Sequence, residues 1–405
     1  MQGKPKFDTL IGVTVLFLLI FGLIMITSIG VPKSIALSAP DVAYPDCSSE
    51  GVDCYLLFKN HLFRLFVGLI AFYIAYRLPI KFWKRVASVF FFGTIIVLLL
   101  VLIMGQSHGT IATNWLTIAN TSLQPSEFAK LALVFYLAKW FTSHADSVED
   151  LAEGFVPFCI ISGAVALPIV LENDFGTVIV LALTAGVIYL LAGARLKHLV
   201  LGIFIAMMFS ILVVATVSHV RERFQGFSKI NEECIEDYCW QSQQANIAVG
   251  SGGFFGKGLT QGVQKSYWLP QASDDFIFAA SAEELGFIRI VFIILAYLVI
   301  AVRGYTIAGK AESPFEMFVA AGITTWIVSQ AFVNIAVNIA IMPVTGITLP
   351  FVSYGGSSLM ACLIGIGILL NISKNTTYYA NSFYRRRNGG ARPPMHSRYR
   401  RAGET

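Results

Sequence analysis

A carboxylate, Asp275, stands where a long polar segment gives way to an apolar one. A glycine-rich stretch, Gly250–Gly258, precedes it, and an apolar run begins at Phe276. A carboxylate at the mouth of an apolar segment is costly to keep, which calls for a functional explanation. The neighbouring Asp274 can be explained as a cap of the helix that begins near Phe276. Asp275 is therefore the better candidate for chemistry, and its carboxylate could act as a general base.

A second polar cluster, Gln124–Lys130, interrupts apolar sequence shortly after Trp115. Pro125 and Glu127 suit the first turn of a helix, so Glu127 can be explained as a helix-start residue. Lys130 is harder to explain in that way, because it lies one turn inside an apolar segment. An ammonium group there must either extend to the interface or pair with a carboxylate.

Further polar groups could carry function, and each has a plainer explanation. The acids of the turn Glu172–Asp174 can cap a helical hairpin. The stretch Gly250–Gly258 can be a flexible loop instead of an anion-binding nest. Gln330, Asn334 and Asn338 share one helix face, where amides commonly bond to neighbouring helices.

The stretch Pro343–Ser358 is rich in proline and glycine and is predicted to be non-helical. At membrane depth such backbone must pack on protein or line a cavity. Its hydroxyl groups, from Ser353, Ser357 and Ser358, are candidate ligand contacts.

Composition places these clusters in a membrane protein. The chain has 405 residues, of which 56% are hydrophobic and 13% charged, whereas a soluble domain carries about 25% charged residues. A bilayer core of about 30 Å needs about 20 apolar residues per helix, so the length allows about ten spans. We expect an all-α polytopic membrane protein with one ten-span domain, residues 1–375, and no separate soluble enzyme domain. The predicted spans are Leu10–Gly30, His61–Leu78, Val86–Met104, Glu127–Phe141, Phe155–Leu171, Thr177–Leu191, His198–His219, Phe276–Val302, Phe315–Ile341 and Ser357–Ile372.

Lysines and arginines predict the orientation of the spans. They concentrate near both termini and in alternate loops, whereas the opposite loops Gly105–Gln124, Glu172–Gly176 and Met342–Gly356 contain none. Both termini are therefore predicted to be cytoplasmic, with large external loops at residues 31–60 and, between spans seven and eight, 220–275.

The C-terminal tail, residues 376–405, supplies most of the net charge of +5 and is predicted to be disordered. Its arginines could lie on anionic lipid or simply anchor the topology. The charge does not suggest a nucleic-acid partner.

Four of the six cysteines lie in the predicted external loops, Cys47 and Cys54 in the first and Cys234 and Cys239 in the second. No cysteine lies in a predicted cytoplasmic loop, which fits an oxidising exterior. Pairing within each loop is the expected arrangement, pairing between the loops stays open, and a metal site is the rival explanation.

Together these blocks resemble the SEDS family (shape, elongation, division and sporulation), whose members are polytopic peptidoglycan glycosyltransferases. Gln124–Lys130 resembles the family's QPSEFAK block, and Gly250–Gly258 with Lys265 resembles its glycine-rich loop. Leu269–Gly286 and Pro343–Ser358 resemble its central and closing signatures. The resemblance covers nearly the whole predicted membrane domain and agrees with a large external loop after span seven.

The resemblance implies polymerisation of lipid II, a lipid-linked disaccharide, into glycan strands outside the cytoplasmic membrane. It also implies that Asp275 is the catalytic carboxylate, here a general base, and that Lys130 belongs to the central cavity near it. The leaving undecaprenyl diphosphate needs positive charge, which side chains or a divalent cation, Mg or Mn, could supply. No organic cofactor is expected. The expected substrate-binding residues are Lys130, Glu127, Arg64, Trp115, Gln124, Lys265, Gln330, Asn334, Ser353, Ser357 and Ser358.

The resemblance further implies a partner, a single-span class B penicillin-binding protein that crosslinks the strands, with divisome or elongasome proteins around it. Ser273–Asp275 and Gly346–Pro350 look division-like, whereas Val344–Gly346 looks elongation-like. We expect a division-type member in the bacterial cytoplasmic membrane, at the division septum, with an elongation-type polymerase as the alternative.

The sequence departs from the family pattern at three positions: Asn114, where the family commonly has arginine, Asn173, where it commonly has proline, and Arg289, where it has glycine. The change at Asn114 removes a cation expected near the lipid phosphates. A lipid II flippase or transporter stays open as another function, because intramembrane Lys and Asp also suit transport, although no inverted repeat is evident. A scaffold whose catalytic residues have decayed would fit the missing arginine.

Overall fold

The computed structural model describes residues 7–40, 47–106, 114–118, 121–228 and 239–388. These residues form α-helices and one short antiparallel hairpin, in which Leu116 pairs with Leu123. The elements are α1 (Thr9–Ile29), α2 (Val31–Ser38), α3 (Leu56–Arg77), α4 (Ile80–Met104), β1 (Leu116–Ile118), β2 (Thr121–Leu123), α5 (Pro125–Ser143), α6 (Val156–Leu171), α7 (Phe175–Leu191), α8 (Leu196–Thr216), α9 (Ser218–Ser228), α10 (Trp240–Gly252), α11 (Ile277–Gly309), α12 (Pro314–Asn338) and α13 (Gly356–Asn388).

Each of the ten predicted spans overlaps a helix, and the one at Phe276–Val302 overlaps α11, which is interrupted at Gly286. This confirms the all-α membrane class. Among the described residues, eight helices are long and apolar enough to cross a membrane. Helix α7 has only 17 residues, and α5 carries three charged residues, so these two helices fall outside that group. The number of spans and their orientation stay predictions.

The centre of the bundle is α12, which is buried along nearly its whole length and packs against α5, α7 and α11. Helix α13 packs mainly against α3. In contrast, α8 has no buried residue and lies at the edge of the bundle. A helix that is apolar and buried on all sides needs specific polar contacts to fix its rotation, and α12 supplies them through the amides described below.

Local signals in the sequence set several helix starts. Asp8 caps α1 by accepting a hydrogen bond from the Ile11 amide at 3.1 Å, and Asp174 caps α7. Pro125 and Pro314 occupy the first turns of α5 and α12, where the missing N–H costs nothing.

The predicted external loops contain helices that the sequence analysis did not predict. Helix α2 lies in the first loop, and α9 and α10 lie in the second. Helix α13 continues to Asn388, beyond the predicted end of the last span at Ile372. The sequence analysis assigned residues 376–388 to the tail because of their polar composition. Residues 389–405 lie outside the described part, so a disordered tail stays a prediction for them.

The predicted span Phe276–Val302 is not one continuous helix. Gly286 has φ 78° and ψ 171°, which interrupts α11. A Cβ atom on Gly286 would lie 2.2 Å from the backbone nitrogen of Gly256, so the glycine-rich loop touches α11 backbone to backbone. Beside this contact, Arg289 donates hydrogen bonds to the carbonyls of Phe255 and Leu285.

The cysteine prediction is confirmed for the first loop, where Cys47 and Cys54 form a disulfide. Cys239 is also disulfide-bonded. Cys234 lies outside the described residues, so the pairing of Cys234 with Cys239 stays a prediction.

Candidate active site

The segment that carries Asp275 is fixed by amides of α12. Asn334 Nδ2 and Asn338 Nδ2 both donate to the Asp275 carbonyl, at 2.7 and 2.9 Å. Asn338 Oδ1 accepts from the Ala279 amide at 2.8 Å. Two amide side chains on one face of a buried helix therefore hold the start of α11 and place Asp275.

The loop between α12 and α13 completes this fixation. The Ser353 hydroxyl donates to the Asp274 carbonyl, and the Tyr354 amide donates to the Ser273 carbonyl at 3.0 Å. A Cβ atom on Gly346 would lie 3.7 Å from Asp275 Oδ2, so this loop also lines the carboxylate. The stretch predicted to be non-helical thus packs on protein and faces the predicted base.

The Asp275 carboxylate is half-buried and makes no hydrogen bond or ion pair with any residue that the structure describes. Burial raises the pKa of Asp275 to about 7, and the neighbouring carboxylate of Asp274 adds to the rise. A carboxylate that is unpaired and has a pKa near neutrality can accept a proton, as a general base must.

Asp274 is paired differently from Asp275. It forms an ion pair with Lys33, which follows α1 in the chain. Lys33 also bonds Gln271 Oε1 at 3.1 Å and lies 5.9 Å from the Tyr354 ring centre. Asp274, which the sequence analysis explained as a helix cap, therefore forms an ion pair. Its partner Lys33 is a cation of the site that the sequence analysis missed.

Arg64 also lies against Tyr354, with its guanidinium carbon 4.7 Å from the ring centre. Its aliphatic stem packs against Gly356, where a Cβ atom would come within 2.8 Å of Arg64 Cδ. The guanidinium makes no hydrogen bond with the described residues, so it can bind an anion beside the start of α13.

Arg223 of α9 was also missed by the sequence analysis. It is half-buried, and burial lowers its pKa, while the carboxylates of Asp174 and Asp275 act in the opposite direction. Arg223 thus lies in the field of both carboxylates. Nothing in the sequence distinguishes it from Arg221, because α9 itself was assigned to a loop.

The Asp174 carboxylate accepts hydrogen bonds from three segments of the chain. It accepts from Asn114 Nδ2 and Gln124 Nε2, both at 3.2 Å, and from the Thr177 hydroxyl at 2.9 Å. The carboxylate of Glu172 is fully buried nearby, and burial, with Asp174 next, raises the pKa of Glu172 to about 8. Asp174 is the predicted hairpin cap, but it also ties α5 and α7 to the segment that contains Asn114.

Lys130 is buried and paired. Its ammonium lies 2.8 Å from Glu127 Oε1 and 2.7 Å from Gln330 Oε1. Gln330 donates in turn to the Thr348 carbonyl and the Ser358 hydroxyl, both at 3.1 Å. Because Gln330 and Asn334 are one helical turn apart, the Lys130 network and the Asp275 contacts share one face of α12.

Two buried carboxylates, Glu283 and Glu284, brace the glycine-rich loop. Glu283 pairs with Lys257, and Glu284 pairs with Lys265, both at 2.6 Å. Lys265 also donates to the hydroxyl of Ser28 and to a loop carbonyl, each at 3.0 Å. Lys265 therefore contacts Glu284 and α1 rather than Asp275.

The remaining predicted residues connect backbone segments. Trp115 pairs with Gln106 in a β-bridge. The backbone N–H of Gln124 donates to the Ser357 hydroxyl at 3.0 Å. Within the described residues, no group of three or more His, Cys, Asp or Glu side chains could hold a metal ion. The described carboxylates and histidines therefore do not form a metal site by themselves.

Fold and site together define a multi-spanning helical membrane protein. At one end of the bundle, the Asp275 carboxylate lies near several cations and is unpaired among the residues that the structure describes. The family model of the FtsW/RodA/SpoVE cell cycle proteins matches residues 8–378. The chain belongs to this family.

Individual relatives agree with that assignment. The chain is 34% identical to a probable peptidoglycan glycosyltransferase FtsW of Trichlorobacter lovleyi, over 91% of this chain and 93% of that protein. It is 34% identical to the stage V sporulation protein E of Bacillus subtilis, over 93% of this chain and 99% of that protein. The predicted family is confirmed, and the predicted glycosyltransferase activity agrees with the names of these relatives.

Solved structures show the same fold. A chain from a peptidoglycan synthase complex that coordinates polymerization and crosslinking superposes with a TM-score of 0.71 and 23% identity, over 91% of this chain and 98% of that one. The rod shape determining protein RodA of Thermus thermophilus superposes with a TM-score of 0.64 and 21% identity, over 91% and 97%.

Proposed function

We propose that this protein is a peptidoglycan glycosyltransferase that polymerises lipid II at the outer face of the cytoplasmic membrane, with Asp275 as general base. The observation that carries this proposal is the Asp275 carboxylate, which is unpaired among the described residues and has a pKa of about 7. The relatives named peptidoglycan glycosyltransferase FtsW support the reaction type.

The reaction needs one proton acceptor. A sugar hydroxyl of one lipid II molecule attacks the anomeric carbon of another and gives its proton to the Asp275 carboxylate. A bond forms between that oxygen and the anomeric carbon, while the bond from the same carbon to the diphosphate breaks. Undecaprenyl diphosphate leaves on the opposite face, so the configuration inverts without a second carboxylate as nucleophile.

The leaving diphosphate needs positive charge, and three cations lie near the carboxylates. Lys33 pairs with Asp274, Arg64 lies on Tyr354, and Arg223 lies in the field of Asp275. Charge placed where the diphosphate develops stabilises the transition state. These residues can supply the charge that the family obtains from arginine at position 114. Lys130 and Lys265 hold carboxylates in this structure, so their role as phosphate contacts stays a prediction, as does a requirement for Mg or Mn.

We further propose a division-type enzyme at the septum, working with divisome proteins. The support is that several curated relatives, among them the one from Trichlorobacter lovleyi, are named FtsW. The RodA structures are below 25% identity and show the fold alone. A class B penicillin-binding protein is the proposed partner, because a structural relative comes from a complex that couples polymerization to crosslinking.

The test is glycan-strand formation from purified lipid II, with and without the class B partner. Wild type should form polymer and Asp275→Asn should form none, since the amide cannot accept the proton. Asp53→Asn is the matched control, because Asp53 is an external carboxylate paired with Lys59. Full activity of Asp275→Asn would remove the assignment. Absence of polymer from wild type, together with lipid II crossing in sealed vesicles, would favour the transporter.

A further inference from the structure

A short basic turn joins α3 to α4 at the end of the bundle opposite the candidate active site. Arg77 ends α3, and Lys81, Lys84 and Arg85 lie in the first two turns of α4. All four side chains are exposed, and none makes a hydrogen bond or ion pair with a residue that the structure describes. The sequence contains no Asp or Glu from residue 54 to residue 126, so no neighbouring acid along the chain can neutralise this charge.

Helix α13 fixes the backbone of this turn and adds a further cation to it. Asn371 Nδ2 donates to the Leu78 carbonyl at 2.6 Å. Lys374 Nζ donates to the Tyr76 carbonyl at 3.1 Å and lies over the Tyr76 ring. The Lys374 ammonium is thereby held beside Arg77. The positive charges are therefore gathered around one anchored turn, where like charges repel one another and an anion would be attracted.

Two arginines elsewhere at this end of the bundle have carboxylate partners. Arg303 pairs with Asp8, and Arg195 pairs with Glu149. Positive charge near the ends of spans sets their orientation in the membrane. Paired arginines are compatible with that role, so orientation does not by itself explain why several cations gather around one anchored turn without an acid.

The surroundings of the turn favour a lipid as the source of the anion. The Arg77 guanidinium carbon lies 5.6 Å from the ring centre of Tyr73, one turn back along α3. Tyr73 is exposed, as is Phe82 at the start of α4. Aromatic and basic side chains at the ends of spans mark the level of the lipid headgroups. Because α3 packs mainly against α13 and α4 mainly against α5, each helix also keeps an apolar face exposed, which acyl chains can cover.

We propose that Arg77, Lys81 and Arg85 bind the phosphate headgroup of an anionic phospholipid at the turn between α3 and α4. Lys81 and Arg85 are four residues apart and share one face of α4, and Lys374 adds charge from α13. Arginine binds phosphate oxygens through paired N–H donors, and basic sites beside spans recognise anionic headgroups. Lys84 is not included, because its ammonium lies 5.7 Å from the centre of a ring in α12. The lipid site does not depend on the reaction proposed above.

The experiment titrates the full-length protein, delipidated in a neutral detergent, with phosphatidylglycerol or with phosphatidylcholine of the same acyl chains. Native mass spectrometry counts the bound lipids. Wild type should bind phosphatidylglycerol with a Kd about tenfold lower. The double variant Arg77→Gln with Lys81→Gln should raise that Kd by about tenfold and leave phosphatidylcholine binding unchanged, because two groups that attract the headgroup are lost.

The matched control is the double variant Arg195→Gln with Lys310→Gln. It removes the same charge from exposed positions at the same end of the bundle, and it should bind phosphatidylglycerol as wild type does. Inorganic phosphate at millimolar concentration should not displace the lipid. Displacement would replace the lipid by free phosphate as the ligand and overturn the assignment.

A second variant protects the test from misfolding. If the double variant at the turn does not give a monodisperse protein, the single change Arg85→Gln carries the test and should raise the Kd for phosphatidylglycerol by about threefold. Equal affinity of wild type for the two lipids would overturn the proposal. Equal weakening by the turn variant and by its matched control would also overturn it, since the charges would then act only through the net charge of that end.

Discussion

Asn334 Nδ2 lies 2.7 Å from the backbone carbonyl of Asp275 and donates a hydrogen bond to it. The same nitrogen donates to the Ile347 carbonyl at 2.7 Å. One amide on the central helix thus joins the segment that carries the base to the loop that faces it.

Asn334→Ala should lower polymerisation by about tenfold or more. The variant loses buried hydrogen bonds and leaves the Asp275 carbonyl with one donor fewer, at a cost of about 1–3 kcal/mol, so Asp275 can shift. The measurement is the initial rate of lipid II consumption beside the thermal unfolding midpoint. Asn371→Ala is the control, since Asn371 donates a similar bond, 2.6 Å long, to the Leu78 carbonyl at the other end of the bundle. Equal loss of activity in both variants would argue for a general stability effect.

Polymerisation should rise with pH through about 7. The base form of Asp275 is the carboxylate, and its pKa is raised to about 7, so below that value the rate should fall about tenfold per pH unit. Asp274→Asn should move the profile to lower pH, because it removes the negative neighbour. Lys33→Met should move it to higher pH, because Lys33 lowers the Asp275 pKa. Rate profiles between pH 5.5 and 8.5 would show both shifts, and a flat profile would exclude Asp275 as the titrating base.

Arg223→Gln should lower kcat/KM by about 10²-fold, as expected when one donor to a developing negative charge is lost. Arg221→Gln is the matched control on the same helix. Arg221 donates to the backbone carbonyl of Val214 rather than facing the carboxylates, so its replacement should have little effect. If the two variants behave alike, α9 does not contribute a specific cation to the site.

Glu284→Gln should destabilise the protein by about 3–5 kcal/mol, because it leaves the Lys265 ammonium buried without its counterion. Glu283→Gln should cost less, since Lys257 is 34% exposed and can turn to water, whereas Lys265 is 9% exposed. Thermal unfolding in detergent measures both. The double variant Glu284→Gln with Lys265→Met should recover part of the loss, and no recovery would mean that the ion pair is not the cause.

Gly286→Ala should prevent the glycine-rich loop from docking, since the added Cβ would lie 2.2 Å from Gly256 N in a backbone with φ 78°. We expect the free energy of unfolding to fall by about 1–3 kcal/mol or more, with a poor yield of monodisperse protein. Gly250→Ala is the control, because Gly250 lies in α10 with open space around it. It should be neutral or stabilising by about 0.5–1 kcal/mol.

The sequence by itself determined the membrane class, the approximate positions of the apolar helices and the position of Asp275 at the mouth of one of them. Hydropathy, proline at the first turn of α5 and the Asp174 cap act over a few residues, so they can be read locally. The four family blocks also predicted which loops matter.

Only the tertiary structure decided which groups face the site. Arg223 and Lys33 lie in segments assigned to loops, and their approach to Asp274 and Asp275 depends on how distant helices pack. The break in α11 at Gly286 likewise follows from contact with Gly256, 30 positions earlier in the sequence. Such contacts join residues far apart in the chain, and no local pattern of hydrophobicity, capping or charge records them.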